Sequence, residues 1–167
     1  NIILITVDAL RADHMGLYGY EYDTSPRLDE FAEKAILFTH PYCPIPKTSA
    51  SIASLMTGIH PLIHGTKPNR DALEERHITL AKALKMKGYA THAVVDNGNL
   101  SKSYKFHQGF DEYIQVWNFV EDKPGSTPFI TDKILEFLKN RGSGPFFLWA
   151  HYVETHTPYL PPPEFVE

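Results

Sequence analysis

The chain has 167 residues, of which 43% are hydrophobic and 22% are charged, the composition of an ordinary globular protein with a core of its own. Its formal net charge is −4 and no basic run stands out, so nucleic-acid binding is not expected. No apolar run reaches the length of a membrane span, and a single cysteine, Cys43, excludes an internal disulfide framework. One cysteine is compatible with a reducing compartment and slightly favours the cytoplasm for the chain as given.

The first segment, Ile2–Val7, is a continuous apolar run rich in isoleucine and valine. Such a run predicts a strand buried on both faces, the kind found in parallel sheets. It ends in Asp8, and an acid that directly follows a buried strand is costly without a partner. Two interpretations of Asp8 stay open: a cap for the next turn, or a metal ligand at the carboxyl edge of a sheet.

Two short elements are predicted before residue 44. Ser25 followed by Pro26 predicts a helix start with Ser25 as its N-cap, and Asp29 in the first turn suits the helix dipole. Residues 36–39 predict a short strand.

Residues 42–65 read YCPIPKTSASIASLMTGIHPLIHG and predict a loop followed by a helix that ends at Gly58. Apolar side chains recur at the spacing of one helix face, at Ile52, Leu55, Met56 and Ile59. Thr48 therefore stands where a helix begins, and the backbone N–H groups and partial positive charge of a helix start suit an anion. The Thr48 hydroxyl can cap this helix or attack an anionic ester.

The second half of the chain alternates between predicted helices and strands. Thr79 begins a helix that ends at Gly88, and Thr127 with Pro128 begins another. Strands are predicted over residues 89–95, 109–116 and 146–150. The alternation along the whole chain predicts an α/β fold with a largely parallel sheet flanked by helices.

The carboxyl ends of parallel strands meet at one edge of a sheet, and ligands bind there. The residues that end or follow the predicted strands are Asp8, Asp96, Asn97, His151 and His156. Thr48 heads a helix and is expected at the same edge. A metal held by Asp8 could bind the Thr48 oxygen and lower its pKa, and His156 could hold an anion oxygen or protonate a leaving group.

Several segments resemble a known family. ILITVDALRADHMGLYGY, TSPRLDEFAEKAILFTHPYC and SIASLMTGIHPLIHG resemble, in this order, the N-terminal part of the sulfatases of the alkaline phosphatase superfamily, and GYATHAVVDN and FFLWAHYVETHTPYLPP continue the resemblance. It implies an α/β sandwich around a mixed sheet, with a metal at the carboxyl edge. It also implies that residues 1–167 are the N-terminal portion of a sulfatase-like catalytic domain in a longer chain, as the missing initiator methionine suggests.

The resemblance assigns roles residue by residue. Asp8 matches the metal ligand after the first strand, and Ala9 stands where many members have a second aspartate. Thr48 matches the nucleophile, which also contacts the metal. His156, in His-Thr-Pro-Tyr, matches a histidine that contacts the substrate anion or the leaving group. His64 matches a His-Gly pair after the nucleophile helix and is interpreted as structural.

Two departures weaken the simple label of sulfatase. True sulfatases carry Cys or Ser in a Cys-x-Pro-x-Arg type motif that is converted to formylglycine; here Thr48 cannot serve as the precursor and Ile52 replaces the arginine. Cys43 does not fit that motif and is predicted to be a small buried residue. At Asp96-Asn97, where sulfatases usually have a lysine and a histidine, Asn97 is expected to be a weak substrate contact.

An unmodified threonine is what relatives acting on phosphorus use, such as phosphoglycerol and phosphoethanolamine transferases. The first hypothesis is therefore a hydrolase or transferase of sulfate or phosphate esters, with phosphate mono- or diesters favoured and a divalent Mn, Zn, Mg or Ca ion as cofactor. Its substrate would be a small-molecule, lipid or glycan anionic ester. The second hypothesis is a non-catalytic remnant with the same fold that binds an anion or a partner. The remaining metal ligands are expected beyond residue 167, so the reading frame there separates the two hypotheses.

Overall fold

The computed structural model describes residues 1–67, 71–119, 126–159 and 161. The chain divides into two compact units, one made of Asn1–Asp8 together with Pro44–Glu167 and the other of Ala9–Cys43. Over the described residues, no helix combines the length and the apolar composition that a membrane span requires.

The secondary structure follows the predicted alternation. The strands are β1 Ile2–Val7, β2 Ala90–Val95, β3 Glu112–Gln115 and β4 Phe146–Tyr152. The helices are α1 Pro26–Ala32, α2 Thr48–Thr57, α3 Pro61–His64, α4 Leu80–Met86 and α5 Ser126–Asn140. The helix starts predicted at Thr48 and Thr79 are confirmed, and the Thr79 hydroxyl accepts a hydrogen bond from the Lys82 backbone N–H at 3.1 Å.

The four strands form one sheet in the order β1-β4-β2-β3, and each of its three described pairings is parallel. The predicted α/β fold with a largely parallel sheet is confirmed. His151 of β4 is level with Thr6 of β1 on one side and with Val95 of β2 on the other. This register brings the carboxyl ends of three strands to one edge, so that residues 8, 96 and 151 meet there.

Helices cover the two faces of the sheet. On one face a core cluster joins residues of α2, α4 and the strands, including Ile52, Ala53, Met56, Ala81, Ala93, Phe147 and Trp149. On the other face Ile130 of α5 packs with Val94 and Ala150. This arrangement buries β4 from both sides, and burial of apolar area at about 25 cal/mol per Å² is the main force holding the layers together.

Two burial predictions in this unit are wrong in detail. β1 was expected to be buried on both faces, but Ile3 is 51% and Ile5 59% exposed, because β1 is the edge strand and α5 packs over β2 and β4. Leu55 of the predicted helix stripe is also exposed, since the buried side of α2 is centred on Ile52, Ala53 and Met56.

The unit Ala9–Cys43 contains α1 but not the predicted cap. The Ser25 hydroxyl accepts a hydrogen bond from the Gly16 backbone N–H at 3.0 Å and donates to Asp29 Oδ1 at 2.9 Å. Asp29 Oδ1 also accepts from the Leu17 backbone N–H at 2.8 Å. Both side chains are therefore occupied by the preceding loop, so neither caps α1.

Two further predictions for this unit are wrong. Residues 36–39 form no strand, and Ile36 and Phe38 are exposed, because an apolar segment without a partner strand has no ladder of hydrogen bonds to join. Cys43 is exposed as well, so its sulfur does not serve as a buried apolar group.

Candidate functional site

Thr48 is the first residue of α2, and its hydroxyl turns away from the helix. Lys47 precedes it as the N-cap and makes no side-chain capping bond. Thr48 Oγ1 donates to the carboxylate of Asp8, at 3.0 Å to Oδ2 and 3.2 Å to Oδ1. Of the two interpretations that the sequence left open for this hydroxyl, helix capping is therefore not the one observed.

Asp8 lies directly after β1, with 14% of its side chain exposed. Besides Thr48, its Oδ2 accepts a hydrogen bond from Asn97 Nδ2 at 2.7 Å. Burial by itself raises the pKa of Asp8, but the His151 ring and the hydrogen bonds from Thr48 and Asn97 outweigh it, so that the pKa lies below the ordinary value of 3.8. Asp8 is thus an ionised acceptor at neutral pH.

Asn97 follows β2 and is held in one orientation. Its Oδ1 accepts a hydrogen bond from the Asn99 backbone N–H at 2.9 Å, and this capping bond leaves Nδ2 as the group that meets Asp8. The sequence predicted a weak substrate contact here. The structure adds a contact with the Asp8 carboxylate, which the sequence did not indicate.

His151 is the residue of this site to which the sequence assigned no role. It ends the apolar run of β4 and is 2% exposed. Its Nδ1 lies 2.8 Å from Thr6 Oγ1, and its Nε2 lies 3.8 Å from Asp8 Oδ2, beyond hydrogen-bond length. Its position at the end of an apolar run was the available signal, but its pairing with Thr6 depends on a register that the sequence does not reveal.

His156 lies in the loop after β4 and is exposed. Its Nδ1 is 2.7 Å from the Thr157 carbonyl, and its backbone N–H donates to the Val153 carbonyl at 2.8 Å. Among the described hydrogen bonds, none joins His156 to Asp8 or Thr48, so the structure does not draw it into the cluster. Its predicted role stays a prediction.

The loop that carries His156 is anchored on both sides of the site. Glu154 accepts a hydrogen bond from Ser126 Oγ at 2.5 Å, at the start of α5. Thr155 Oγ1 donates to the backbone carbonyl of Asp8 at 2.5 Å. These bonds hold the residues next to His156 beside the carboxyl edge of the sheet.

His64 has the structural role that the sequence predicted. It is fully buried, and its Nδ1 accepts a hydrogen bond from the Thr66 backbone N–H at 3.1 Å. Its other nitrogen, Nε2, therefore carries a hydrogen and donates to Ser54 Oγ at 3.0 Å. The bond ties α3 to the middle of α2, the helix that begins at Thr48.

The donor set fits part of a site for a hard divalent cation. The Asp8 carboxylate and the Thr48 hydroxyl offer oxygen atoms within 3.2 Å of each other, and oxygen is the ligand atom that Mg²⁺ and Ca²⁺ prefer. Within the ranges that the structure describes, no group of three or more His, Cys, Asp or Glu side chains forms a metal-binding cluster. The oxygen donors of Asp8 and Thr48 would therefore suit a metal as part of a ligand set, not as a complete one.

The family model named Sulfatase matches residues 1–167. The chain belongs to the sulfatase family. An arylsulfatase of Clostridium perfringens is 26% identical over 99% of this chain and 45% of the relative. The chain thus spans less than half of the length of this sulfatase, and the resemblance seen in the sequence is confirmed.

Several solved structures superpose on the chain. A protein in complex with its substrate D-glucosamine-2-N,6-O-disulfate has a TM-score of 0.85 and 26% identity, covering 98% of this chain and 36% of that protein. A phosphonate monoester hydrolase of Agrobacterium radiobacter has a TM-score of 0.82 and 20% identity over 98% of this chain and 42% of its own. The C-terminal periplasmic domain of EcEptC from Escherichia coli, in a complex with Zn, has a TM-score of 0.69 and 18% identity, covering 98% of this chain and 46% of that domain. The last two likenesses concern the fold alone.

Proposed function

We propose that the protein containing this chain is a metal-dependent hydrolase or transferase of sulfate or phosphate esters, with Thr48 as its nucleophile. The observation that carries the proposal is the hydrogen bond from Thr48 Oγ1 to the ionised Asp8 carboxylate at the first turn of α2. Membership of the sulfatase family supports ester chemistry.

The start of α2 suits an anionic ester. The helix has ten residues, and its first backbone N–H groups and partial positive charge favour a tetrahedral anion placed beside Thr48. The same N–H groups would stabilise the charge that builds up on the nonbridging oxygens during transfer.

Asp8 and Thr48 would hold the divalent metal together with ligands from a later part of a longer chain. When bound, such an ion lowers the pKa of a coordinated hydroxyl and neutralises charge on the transferring group. A complex with Zn is recorded for one neighbour in fold, EcEptC. The two oxygen donors, Asp8 and Thr48, do not by themselves discriminate between Mn, Zn, Mg and Ca.

The chain's own residues would carry out the transfer in two steps. Thr48 Oγ1, having released its proton to solvent, forms a bond to phosphorus or sulfur while the bond to the leaving oxygen breaks. The leaving oxygen takes the proton from Nε2 of a His156 imidazolium, whose Nδ1–H stays bonded to the Thr157 carbonyl, so that His156 is left neutral. Water or an acceptor alcohol then takes the group from Thr48 and restores the hydroxyl.

Phosphate esters are the favoured substrates, because Thr48 cannot become formylglycine and Ile52 takes the place of the supporting arginine. One neighbour in fold is a phosphonate monoester hydrolase, and another acts on a sulfated sugar, so the fold is compatible with both kinds of anion. Small-molecule, lipid and glycan esters all fit this proposal.

The test is a panel assay of the full-length protein on sulfate and phosphate mono- and diesters, with Mn, Zn, Mg and Ca compared. Thr48→Val and Asp8→Ala are expected to lower kcat/KM by about 1,000-fold or more, whereas Thr48→Ser keeps measurable turnover. Thr57→Ala, at the other end of α2, is the control and keeps wild-type activity. Wild-type activity in Thr48→Val would refute the nucleophile, and faster turnover of sulfate than of phosphate esters would refute the preference. Absence of turnover on the whole panel favours the non-catalytic remnant.

A further inference from the structure

His151 is a buried histidine for which the proposed function has no use. It is 2% exposed, and its Nε2 has no hydrogen-bond partner among the described residues. A buried polar atom without a partner costs stability and calls for a physical explanation. The Asp8 carboxylate lies close by, with Oδ2 at 3.8 Å from Nε2.

The contacts of Thr6 and Asp8 together indicate which nitrogen of His151 carries the hydrogen. Trp149 Nε1 donates to Thr6 Oγ1 at 3.0 Å, because an indole nitrogen can only donate. The single hydrogen of Thr6 can then go to His151 Nδ1 at 2.8 Å or to the Ala150 carbonyl at 3.3 Å. With the second choice, a lone pair on Nε2 would face the Asp8 carboxylate. The contact of 2.8 Å is a hydrogen bond in either direction, so it is the avoided repulsion between Nε2 and the Asp8 carboxylate that favours Thr6 as donor to Nδ1 and the hydrogen on Nε2.

We propose that His151 is a positioning residue for Asp8, held by Thr6 with its Nε2–H toward Asp8 Oδ2. This inference rests on the proposed function, in which Thr48 loses its hydroxyl hydrogen on becoming a nucleophile and then an ester. Asp8 Oδ2 then loses the Thr48 bond of 3.0 Å and keeps the Asn97 bond of 2.7 Å. A movement of under about 1 Å brings Nε2–H within hydrogen-bond length, so that His151 replaces the donor that Asp8 has lost.

The first test reads the tautomer directly, without any turnover. The full-length protein is labelled with 15N-histidine, and His151 is assigned among the nine histidines of this chain by the loss of its signals in His151→Gln. The ring is expected to show hydrogen on Nε2 in the wild type and to lose that preference in Thr6→Val. Hydrogen on Nδ1 in the wild type, or a tautomer unaffected by Thr6→Val, would overturn the proposal.

The second test separates positioning from packing. His151→Leu, which lacks a donor, is expected to lower kcat by about 10- to 100-fold with little change in KM, the range found when supporting partners of site residues are removed. His151→Gln, whose amide N–H reaches the region of Nε2, is expected to recover most of that loss. Equal losses in both variants, or a loss confined to KM, would contradict positioning. If Thr48→Val is fully active, the proposed nucleophile is wrong, while the tautomer measurement still decides whether Thr6 orients His151.

Discussion

β1 and β4 are neighbours in one sheet and have similarly apolar sequences, yet they differ in burial. Ile3 of β1 is 51% exposed, while Leu148, its partner in register on β4, is fully buried. β4 lies between two strands and under helices on both faces, whereas β1 has one neighbouring strand. An apolar run therefore indicates that a strand is suited to burial. How much of the strand is actually buried depends on its position in the sheet. We propose that later residues of a longer chain cover β1.

The comparison also separates the two faces of β1. Ile3 and Ile5 are exposed on the face shared with Leu148, whereas Thr6 and Asp8 point to the opposite face, where the site residues lie. Side chains alternate across a strand, so β1 contributes to the site through one face while the other is uncovered.

The largest expected effect comes from truncating the two partners in register. Leu148→Ala is expected to lower the free energy of unfolding by about 2–5 kcal/mol, because it leaves a cavity in a buried strand. Ile3→Ala is expected to cost under about 1 kcal/mol, since half of its side chain is already in water. Urea unfolding of the 167-residue chain measures both. Similar losses in the two variants would show that β1 is as well covered as β4.

A smaller loss is expected from Thr6→Val, on the covered face of the exposed strand. The change keeps the shape of the side chain but leaves Trp149 Nε1 and His151 Nδ1 without their partner. Removing one partner of a buried polar group costs about 1–3 kcal/mol. Ile5→Val, on the other face, is the matched control and is expected to stay within about 0.5 kcal/mol of the wild type. Equal stability of both variants would remove the distinction between the two faces of β1.

The sequence predicted the helices and strands whose apolar pattern is strong, and the convergence of Asp8, Thr48 and Asn97 followed from the rule that strand ends share an edge. The prediction from sequence failed where the structure of a segment depends on which other segments pack or pair with it. Residues 36–39 are apolar enough for a strand, but a strand needs a partner, which composition does not reveal. His151 could not be assigned because its contact with Thr6 depends on the register between β1 and β4, strands about 140 residues apart in the chain.

A pH-dependent effect, smaller than these truncations, is expected on the other side of β4. His92 of β2 is level with Leu148, and its ring stacks on Phe137 at 4.4 Å between centroids. Burial lowers the pKa of His92 below 6.5, against the opposing effect of the Glu112 charge. Because the folded pKa is below the unfolded one, this contribution to stability is complete above pH 6.5 and is lost as the pH falls through the folded value.

His92→Phe keeps the stacked ring and removes this titration. The fall in unfolding free energy between about pH 7 and pH 5 is therefore expected to be smaller in the variant than in the wild type, as read from urea midpoints at each pH. Part of the slope is expected to remain, because burial also lowers the pKa of His64. An identical slope in both proteins would mean that the interior beside β4 tolerates a charged ring.

The smallest change in stability, and the sharpest test of the uncovered strand, is expected from Ile5→Lys. The Ile5 side chain is 59% exposed, so a lysine there should alter the unfolding free energy by no more than about 0.5 kcal/mol. An exposed apolar edge strand is a template for pairing with another chain, and a charge on such a strand opposes that pairing. Ile5→Lys is therefore expected to reduce self-association of the 167-residue chain in light scattering, with Lys133→Ala as a surface control. In a longer protein whose later residues cover β1, the same substitution should instead destabilise the fold, because the charge would then be buried.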